Sequence, residues 1–564
     1  MISINVNDLE KIGNGISNKK IYKINDDRLF IDFSQCNNKK YEIFNINYIP
    51  NDTELKRFVN INIFLAKNSC NVPKIYEYNN DKMILQNLGD NTLLQLGLNN
   101  LKYGTFQKAL YKSIDWLIKF SSTPYQQNDY IVQRIYNATT LTLETQKFIN
   151  TTLSNINLSD KINLESIIEI MIENIFINSK KCLIHRDFQS GNIIYYDNKL
   201  YAIDFQDSCL GIDLYDLTSL LYDLKISLSQ SERENLIQYY LKNSHIKYNN
   251  NVHQKIYLLA TLRLCKSLTY RIKKYNENKN NLLLLEIKRG YNLLHELSGK
   301  LSLYKNFFDI IFKYLPTFDS NLISIILAAG KGTRMLSEKP KVLHYLFNNY
   351  LVEYPLRLSK LIGSDKVYTI VGYQAQNVIN SLNDRIVKFI EQKEQLGTGH
   401  AVMQVTPYLE NIKNSEKIDV LVLMGDCVAL SYEIINNFIC EFRQKNYSAG
   451  LLTSNINESA RSSRVIRNSE GNYLGSVEFK DMTEEHKGIR ETGCGIMIFK
   501  LNKLLETLPK LNNNNKQGEY YLPDVINILV KNGDEILAYK SDEIPETHGA
   551  NTQNELKELE ELLS

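Results

Sequence analysis

The chain has 564 residues, with 66 Lys and Arg against 63 Asp and Glu and a net charge of +3. That length holds about three to four domain-sized units, and the even charge gives no global field favouring nucleic acid or an anionic membrane. The eight cysteines form no CxxC pair or Cys/His cluster, which argues against both a zinc site and a disulfide scaffold. The opening MISINVNDLEKI lacks a basic segment followed by an apolar core, and no apolar run approaches the ~20 residues of a membrane span. The expected location is the cytoplasm, the expected partners are small molecules, and the oligomeric state is left open.

From Ile16 to Tyr48 apolar and polar residues alternate between turn signals: KIYKI, Asp26-Asp27, RLFIDF, Asn37-Asn38, YEIFNI. This predicts antiparallel hairpins. Asp52 to Lys67 has helical spacing, with Asp52 or Thr53 as N-cap, and VPKIYEY and KMILQNLGD predict two more strands. Sheet, helix, sheet and a connection at Asn87 to Asp90 is the order of a kinase-type small lobe.

Beyond Leu93 the pattern turns helical, and at Cys182 begins CLIHRDFQSGNIIYYDNKLYAIDFQDSCLGIDLYDLTSLLYD. It contains HRDxxxxN, as His185, Arg186, Asp187 and Asn192, followed by a predicted hairpin that ends at Asp204. Phosphoryl transfer from ATP needs a carboxylate for the acceptor proton, an amide oxygen on Mg2+ and a second carboxylate bridging metal and phosphates. Asp187, Asn192 and Asp204 supply that set. One such residue beside an apolar strand would usually only cap a turn; four in register point to chemistry.

This stretch resembles the aminoglycoside-phosphotransferase-like small-molecule kinases, and most nearly the anomeric sugar kinases acting at C1 of N-acetylmuramate or N-acetylglucosamine. Their IDFQDA…G…YDL.SLL.D signature is similar to Ile203 to Asp223. The resemblance implies a protein-kinase-like α+β domain, with a small β lobe and a helical large lobe, over residues 1–305. The small-lobe lysine for the α- and β-phosphates is not assigned: Lys20, Lys23, Lys39 and Lys40 are candidates, and Glu54 is a candidate ion-pair partner. Helices are expected over Gln254 to Tyr304, with Tyr304, Phe307 and Phe308 as a packing face between the halves and residues 306–320 as a linker.

From Asn321 onward, ISIILA, KVYTIV, IVKFI, IDVLVLM, AGLLT and GIMIF alternate with helical stretches such as Asn349 to Ile362. The alternation predicts an α/β, Rossmann-like domain over residues 321–564, with a mostly parallel sheet and ligands at the strands' carboxyl ends. After the first strand comes LAAGKGTRMLSEKPK, Leu327 to Lys341. A Gly-rich turn at a strand end leaves backbone N–H groups that can wrap a polyphosphate, and Arg334 and Lys341 add charge. It is neither a Walker A loop nor a dinucleotide fingerprint.

With KPKVLH, EQLGTGHAV, Gly425-Asp426, VEFKDMTEEHKGIRE, GIMIF, QGEYYLPDV and GAN, these residues resemble the uridylyltransferase domain of N-acetylglucosamine-1-phosphate uridylyltransferases. The resemblance implies that a sugar 1-phosphate oxygen attacks the α-phosphorus of UTP. It gives Asp426 and Asn551 as Mg2+ ligands, Arg334 and Lys341 on the phosphates, and Leu327, Ala328, Ala329, Gly330, Gln392, Gln395, Gly397 and Thr398 around the nucleotide. On the sugar side it keeps Glu478 but has Ser463, Gly493 and Pro523 where the family has Gly, Asn and Thr. A hexose or amino-sugar 1-phosphate is therefore expected, with N-acetylhexosamine leading. No hexapeptide repeats follow before Ser564, so acetyl transfer is not expected.

The pairing yields one expectation: a sugar 1-kinase using ATP, fused to a uridylyltransferase using UTP, with Mg2+ at both sites. One rival is a choline-type kinase fused to a cytidylyltransferase, which EQLGTGHAV disfavours. The other is a regulatory pseudokinase, against which Asp187, Asn192 and Asp204 stand.

Overall fold

The computed structural model describes residues 10–14, 19–34, 53–244, 251–318, 321–382, 387–456, 462–486, 488–542, 544 and 549–564. The chain forms two compact units, residues 1–97 with 106–317, and residues 98–105 with 318–564. Among the described residues no helix is long and apolar enough to cross a membrane. The six described cysteines other than Cys440 are buried, and all seven are free.

The N-terminal unit carries an antiparallel sheet of β1 (Glu10–Asn14), β2 (Lys20–Asn25), β3 (Arg28–Asp32), β4 (Ile75–Tyr78) and β5 (Lys82–Gln86), in the order β1-β2-β3-β5-β4. Tyr22, Phe30 and Ile84 stand opposite one another on β2, β3 and β5 and form one apolar cluster, as cross-strand neighbours on one face do. The helix Glu54–Lys67 joins β3 to β4. Of the two expected N-caps it is Thr53 that acts: its hydroxyl accepts from the Lys56 N–H at 3.1 Å, removing one orphan donor. YEIFNI, Asp52, Lys39 and Lys40 lie outside the described residues.

The larger part of this unit is helical. Helices Ala138–Thr152, Leu158–Phe176, Val252–Asn278 and Asn281–Lys300 pack on one another, and the same unit holds two short strand pairs, β6 (Lys181–Ile184) with β9 (Cys209–Ile212), and β7 (Ile193–Tyr196) with β8 (Lys199–Ala202). The connection between β6 and β7 carries the HRDxxxxN residues. The stretch expected as a linker, 306–320, is largely helix, Lys305–Tyr314. Its Phe307 and Phe308 are buried, and the helix packs on Leu158–Phe176 and Asn281–Lys300. The expected face between the halves is thus part of the N-terminal unit's own core; periodicity shows that a helix face is buried but not what buries it.

The C-terminal unit is built on seven strands: β10 (Leu322–Ala328), then, after a short hairpin of β11 (Tyr345–Leu346) and β12 (Asn349–Tyr350), β13 (Lys366–Val371), β14 (Val387–Glu391), β15 (Asp419–Met424), β16 (Ala449–Asn455), β19 (Glu491–Lys500) and β20 (Ile536–Lys540). Their order is β14-β13-β10-β15-β19-β16-β20. Only β19 runs against its neighbours. A second hairpin, β17 (Arg464–Arg467) with β18 (Tyr473–Val477), forms a separate two-stranded sheet packed against β19 and β20. All seven residues of β10 are buried, as a central parallel strand covered on both faces requires. The helix expected from Asn349 begins only at Glu353, because Asn349 and Tyr350 pair in the β11–β12 hairpin.

Candidate functional site

In the N-terminal unit the loop after β6 is held by Asp216, whose carboxylate accepts the backbone N–H groups of His185 at 2.6 Å and Arg186 at 3.0 Å. Asp216 is fully buried, and burial raises its carboxyl above the usual range against the opposing pull of His185 and those N–H groups. Arg186 sits at φ 70°, a strained region for a non-glycine residue, so the turn depends on this anchor. His185 is buried, with Nε2 3.1 Å from the Ile203 carbonyl oxygen. A second anchor, Asp223, accepts from the N–H of Ser190 at 2.7 Å and its hydroxyl at 2.5 Å.

These ties bring Asp187 and Asn192 together: Asn192 Nδ2 donates to Asp187 Oδ2 at 3.0 Å and to its carbonyl at 2.9 Å. The amide nitrogen is thereby used, and Asn192 Oδ1 is left for a cation. The hairpin β7–β8 returns the chain, and the Ile203 N–H donates to the Asn192 carbonyl at 2.9 Å. Asp204 follows at φ 60°. Its Oδ1 accepts from Lys19 Nζ at 3.0 Å and from Gln206 Nε2 at 2.9 Å, and Lys19 also lies 3.5 Å from Glu54 Oε1. Burial alone would raise the Asp204 carboxyl, but Lys19 and the Gln206 amide hold it below the ordinary value. For Lys19, burial pulls downward and the two carboxylates more than offset it, so its ammonium is held in the charged form.

In the C-terminal unit the turn after β10 passes through Gly332 at φ 66°, where a Cβ would stand 2.4 Å from Lys341 Cβ. Only glycine allows this approach. Lys341 Nζ donates to Asn551 Oδ1 at 2.6 Å and pairs with Asp426 Oδ2, while Arg334 Nη2 reaches Asn551 Oδ1 at 2.9 Å. Asp426 follows β15. Gly549 bridges Cys427, and the Asn551 N–H is fixed by Glu555 at 2.7 Å. An ammonium touching both oxygens shows that Asp426 and Asn551 converge on one spot that favours a cation. One carboxylate and one amide oxygen, completed by phosphates, fit Mg2+. Among the described residues no three His, Cys, Asp or Glu residues gather as an all-protein metal cage.

The residues expected around the nucleotide also lie together. Gln392 directly follows β14, with Nε2 3.2 Å from the Gly397 carbonyl, and Gln395 Nε2 donates to the Gln392 carbonyl at 3.0 Å. Gly397 turns at φ 107° against Tyr520, whose carbonyl accepts the Gly399 N–H at 2.7 Å. The Thr398 hydroxyl accepts the Leu522 N–H at 3.0 Å. Gly372 sits between Ala329 and Gln395: a Cβ there would meet the Ala329 carbonyl and Gln395 Nε2, each at 2.8 Å. Its necessity was invisible in the sequence, because the two groups it separates lie on other segments.

Of the residues expected at the sugar, Ser463 Oγ is 3.3 Å from Thr492 Oγ1, beside Gly493. Glu478 follows Val477, which pairs with Arg464 in the hairpin, so Ser463 and Glu478 stand at the same end of it. Burial raises the Glu478 carboxyl, and Asp524, Asp481 and Glu519 push it further in the same direction.

The Phosphotransferase enzyme family matches residues 126–249, and the MobA-like NTP transferase domain matches residues 324–465. The chain joins a phosphotransferase domain to a nucleotidyltransferase domain. The nucleotidyltransferase part is similar to the Bifunctional protein GlmU of Halalkalibacterium halodurans, 37% identical over 244 residues, 43% of this chain and 52% of that one. It is also similar to the Bifunctional protein GlmU of Geobacillus sp. (strain WCH70), 39% identical over 241 residues, 43% of this chain and 51% of that one. The chain thus spans about half the length of the curated relatives it matches. A UDP-glucose pyrophosphorylase solved with UDP-glucose is 15% identical, covering 42% of this chain and 97% of that one at TM-score 0.36.

In the phosphotransferase domain the residue that pairs with Glu54 and Asp204 is Lys19, not a sequence candidate. Lys20 lies in β2 and Lys23 pairs with Asp26 at 2.8 Å. The available signal was position alone: Lys19 directly precedes β2, next to the candidate Lys20.

Proposed function

We propose that the phosphotransferase domain phosphorylates a free sugar at C1 with ATP, and that the nucleotidyltransferase domain couples the sugar 1-phosphate to UTP, giving a UDP-sugar and pyrophosphate. The convergence of Lys341 and Arg334 on Asp426 and Asn551 carries the second half of this reading. It is reinforced by the first, since one domain makes what the other consumes. Both nucleotides are cytoplasmic substrates, and the cytoplasm is where we place the protein.

In the kinase step Asp187 takes the proton of the acceptor hydroxyl, while Lys19 neutralises the α- and β-phosphates and Glu54 steadies it. Asn192 and Asp204 would hold Mg2+ against the phosphate oxygens. In the transfer step Lys341 and Arg334 offset the charge that builds on the triphosphate as pyrophosphate leaves. Asp426 and Asn551 would hold the Mg2+ that clamps both phosphate groups. Leu327, Ala328, Ala329 and Gly330 line the nucleotide with backbone, and Gln392, Gln395, Gly397 and Thr398 recognise the base.

An N-acetylhexosamine is the leading sugar, because Ile203 to Asp223 resembles the kinases for those sugars and Glu478 is retained. At Gly493 an added Cβ would make ordinary van der Waals contact with Leu451 Cδ1 and Ser463 Oγ, each at 3.8 Å, so the wall there has room for little more than a methyl group. Full-length protein incubated with labelled ATP, UTP and free glucose, galactose, glucosamine, N-acetylglucosamine, N-acetylgalactosamine or N-acetylmuramate, with products weighed by mass spectrometry, tests the reading. The expected product is a UDP-N-acetylhexosamine formed from the free sugar. Labelled phosphate appearing on none of them would refute the kinase half.

A further inference from the structure

We infer that His400 is a positioning residue for base specificity in the nucleotidyltransferase domain, acting by locking the side-chain amide of Gln392 in one orientation. The inference rests on the reading of Gln392 as a base contact.

Gln392 is only 3% exposed. Its Nε2 stands 3.2 Å from the Gly397 carbonyl oxygen and 3.1 Å from His400 Nδ1. A carbonyl oxygen can only accept, so the nitrogen end of the amide must face Gly397. Its two hydrogens are then both used, one on Gly397 and one on Nδ1. Oε1 makes no hydrogen bond among the described residues. It is the acceptor this buried side chain offers to a ligand.

The opposite face of the imidazole settles the ring's state. Gln404 Nε2 lies 3.2 Å from His400 Nε2 and 3.1 Å from the His400 carbonyl. A neutral imidazole accepts at one nitrogen only, so one of the two amides must turn its oxygen to the ring. Turning Gln404 gives up its bond to the His400 carbonyl, but that side chain is half-buried and its displaced nitrogen can reach water, so the turn costs less there than at buried Gln392. Turning Gln392 would instead press Oε1 against the Gly397 carbonyl in a buried place, leaving both oxygens without donors. The ring therefore carries its proton on Nε2 and accepts at Nδ1.

A fixed acceptor suits the N–H at position 3 of uracil. Cytosine has a lone pair there and needs a donor, which a freely turning amide could supply and a locked one cannot. Nothing in Gln392 alone prefers its oxygen outward; the Gly397 carbonyl and the Nδ1 acceptor contribute that preference together, and Nδ1 engages the second amide hydrogen.

The test uses the full chain, with calorimetric binding of MgUTP and MgCTP and steady-state pyrophosphate release from each nucleotide with N-acetylglucosamine 1-phosphate. His400→Phe keeps a ring and removes the acceptor. The UTP:CTP affinity ratio is expected to fall about tenfold, with the loss for UTP in KM rather than kcat. His400→Asn, whose Oδ1 can stand where Nδ1 stands, is expected to restore most of the ratio. Thermal melts establish folding, and His400→Leu replaces the Phe variant if that does not fold. An unchanged ratio in a folded apolar variant, or an equal loss for both nucleotides, overturns the inference. Gln392→Ala separates the two claims: an unchanged ratio there removes Gln392 as a base contact, whereas a ratio that falls with Gln392→Ala but not with His400→Phe removes His400 only.

Discussion

Lys19 Nζ lies 3.0 Å from Asp204 Oδ1, across 185 residues of chain. The ammonium that would hold the ATP phosphates is thus already bonded to the carboxylate that would hold the metal, and Glu54 at 3.5 Å completes the set. Lys19→Met should lower sugar phosphorylation by about 10²- to 10³-fold, the usual cost of one lost transition-state donor. Uridylyl transfer from supplied sugar 1-phosphate should be unchanged. Single-substrate assays of each step on the same preparation check this, and a fully active Lys19→Met kinase would return the phosphate-binding role to another lysine.

Asp187→Asn should lower the kinase step by about 10²- to 10⁴-fold, the range for loss of a general base. Asn cannot accept the acceptor proton, yet it keeps the volume that Gln189 and Asn192 bond to at 3.0 Å. Product mass after incubation with ATP and sugar gives the readout. Parallel loss of both activities in a folded protein would show that the sites are not separate.

Asp426→Ala or Asn551→Ala should remove nucleotidyl transfer while sparing the kinase step. Each variant also frees Lys341 from one of its two oxygen partners, so raising Mg2+ should recover little activity. Near-normal turnover at ordinary Mg2+ would mean that the metal sits elsewhere.

Glu478 gives a pH-dependent prediction. Its folded carboxyl is raised above 4.5 by burial first and by Asp524, Asp481 and Glu519 next. The folded state therefore keeps a proton that the unfolded chain has released, and stability falls as pH rises from 4.5 through the folded value. Above that value the penalty is constant. Glu478→Gln should raise the melting temperature at about pH 7, with the gap closing below the ordinary glutamate value. It should also raise the KM for sugar 1-phosphate. Thermal melts across pH give the first outcome, and a melting temperature that falls at every pH would contradict it.

The sequence by itself determined the two-domain architecture, because the signals are local. HRDxxxxN and LAAGKGTRM each lie on one loop beside one strand, and the alternation of apolar runs with helical stretches fixes a mostly parallel sheet. The Asp204 hairpin was legible for the same reason. Only the tertiary structure decided what meets across the chain. Lys19 could not be chosen over its neighbours because its partners are Glu54 and Asp204, on a helix and a turn remote in sequence. Gly372 looked ordinary until the fold set Ala329 and Gln395 against it. The helix Lys305–Tyr314 shows the same limit: its apolar stripe announced burial, but the helices that bury it were a matter of packing. Local spacing sets what a segment can become, whereas burial and ion pairing depend on which segments the whole chain brings within a few ångströms.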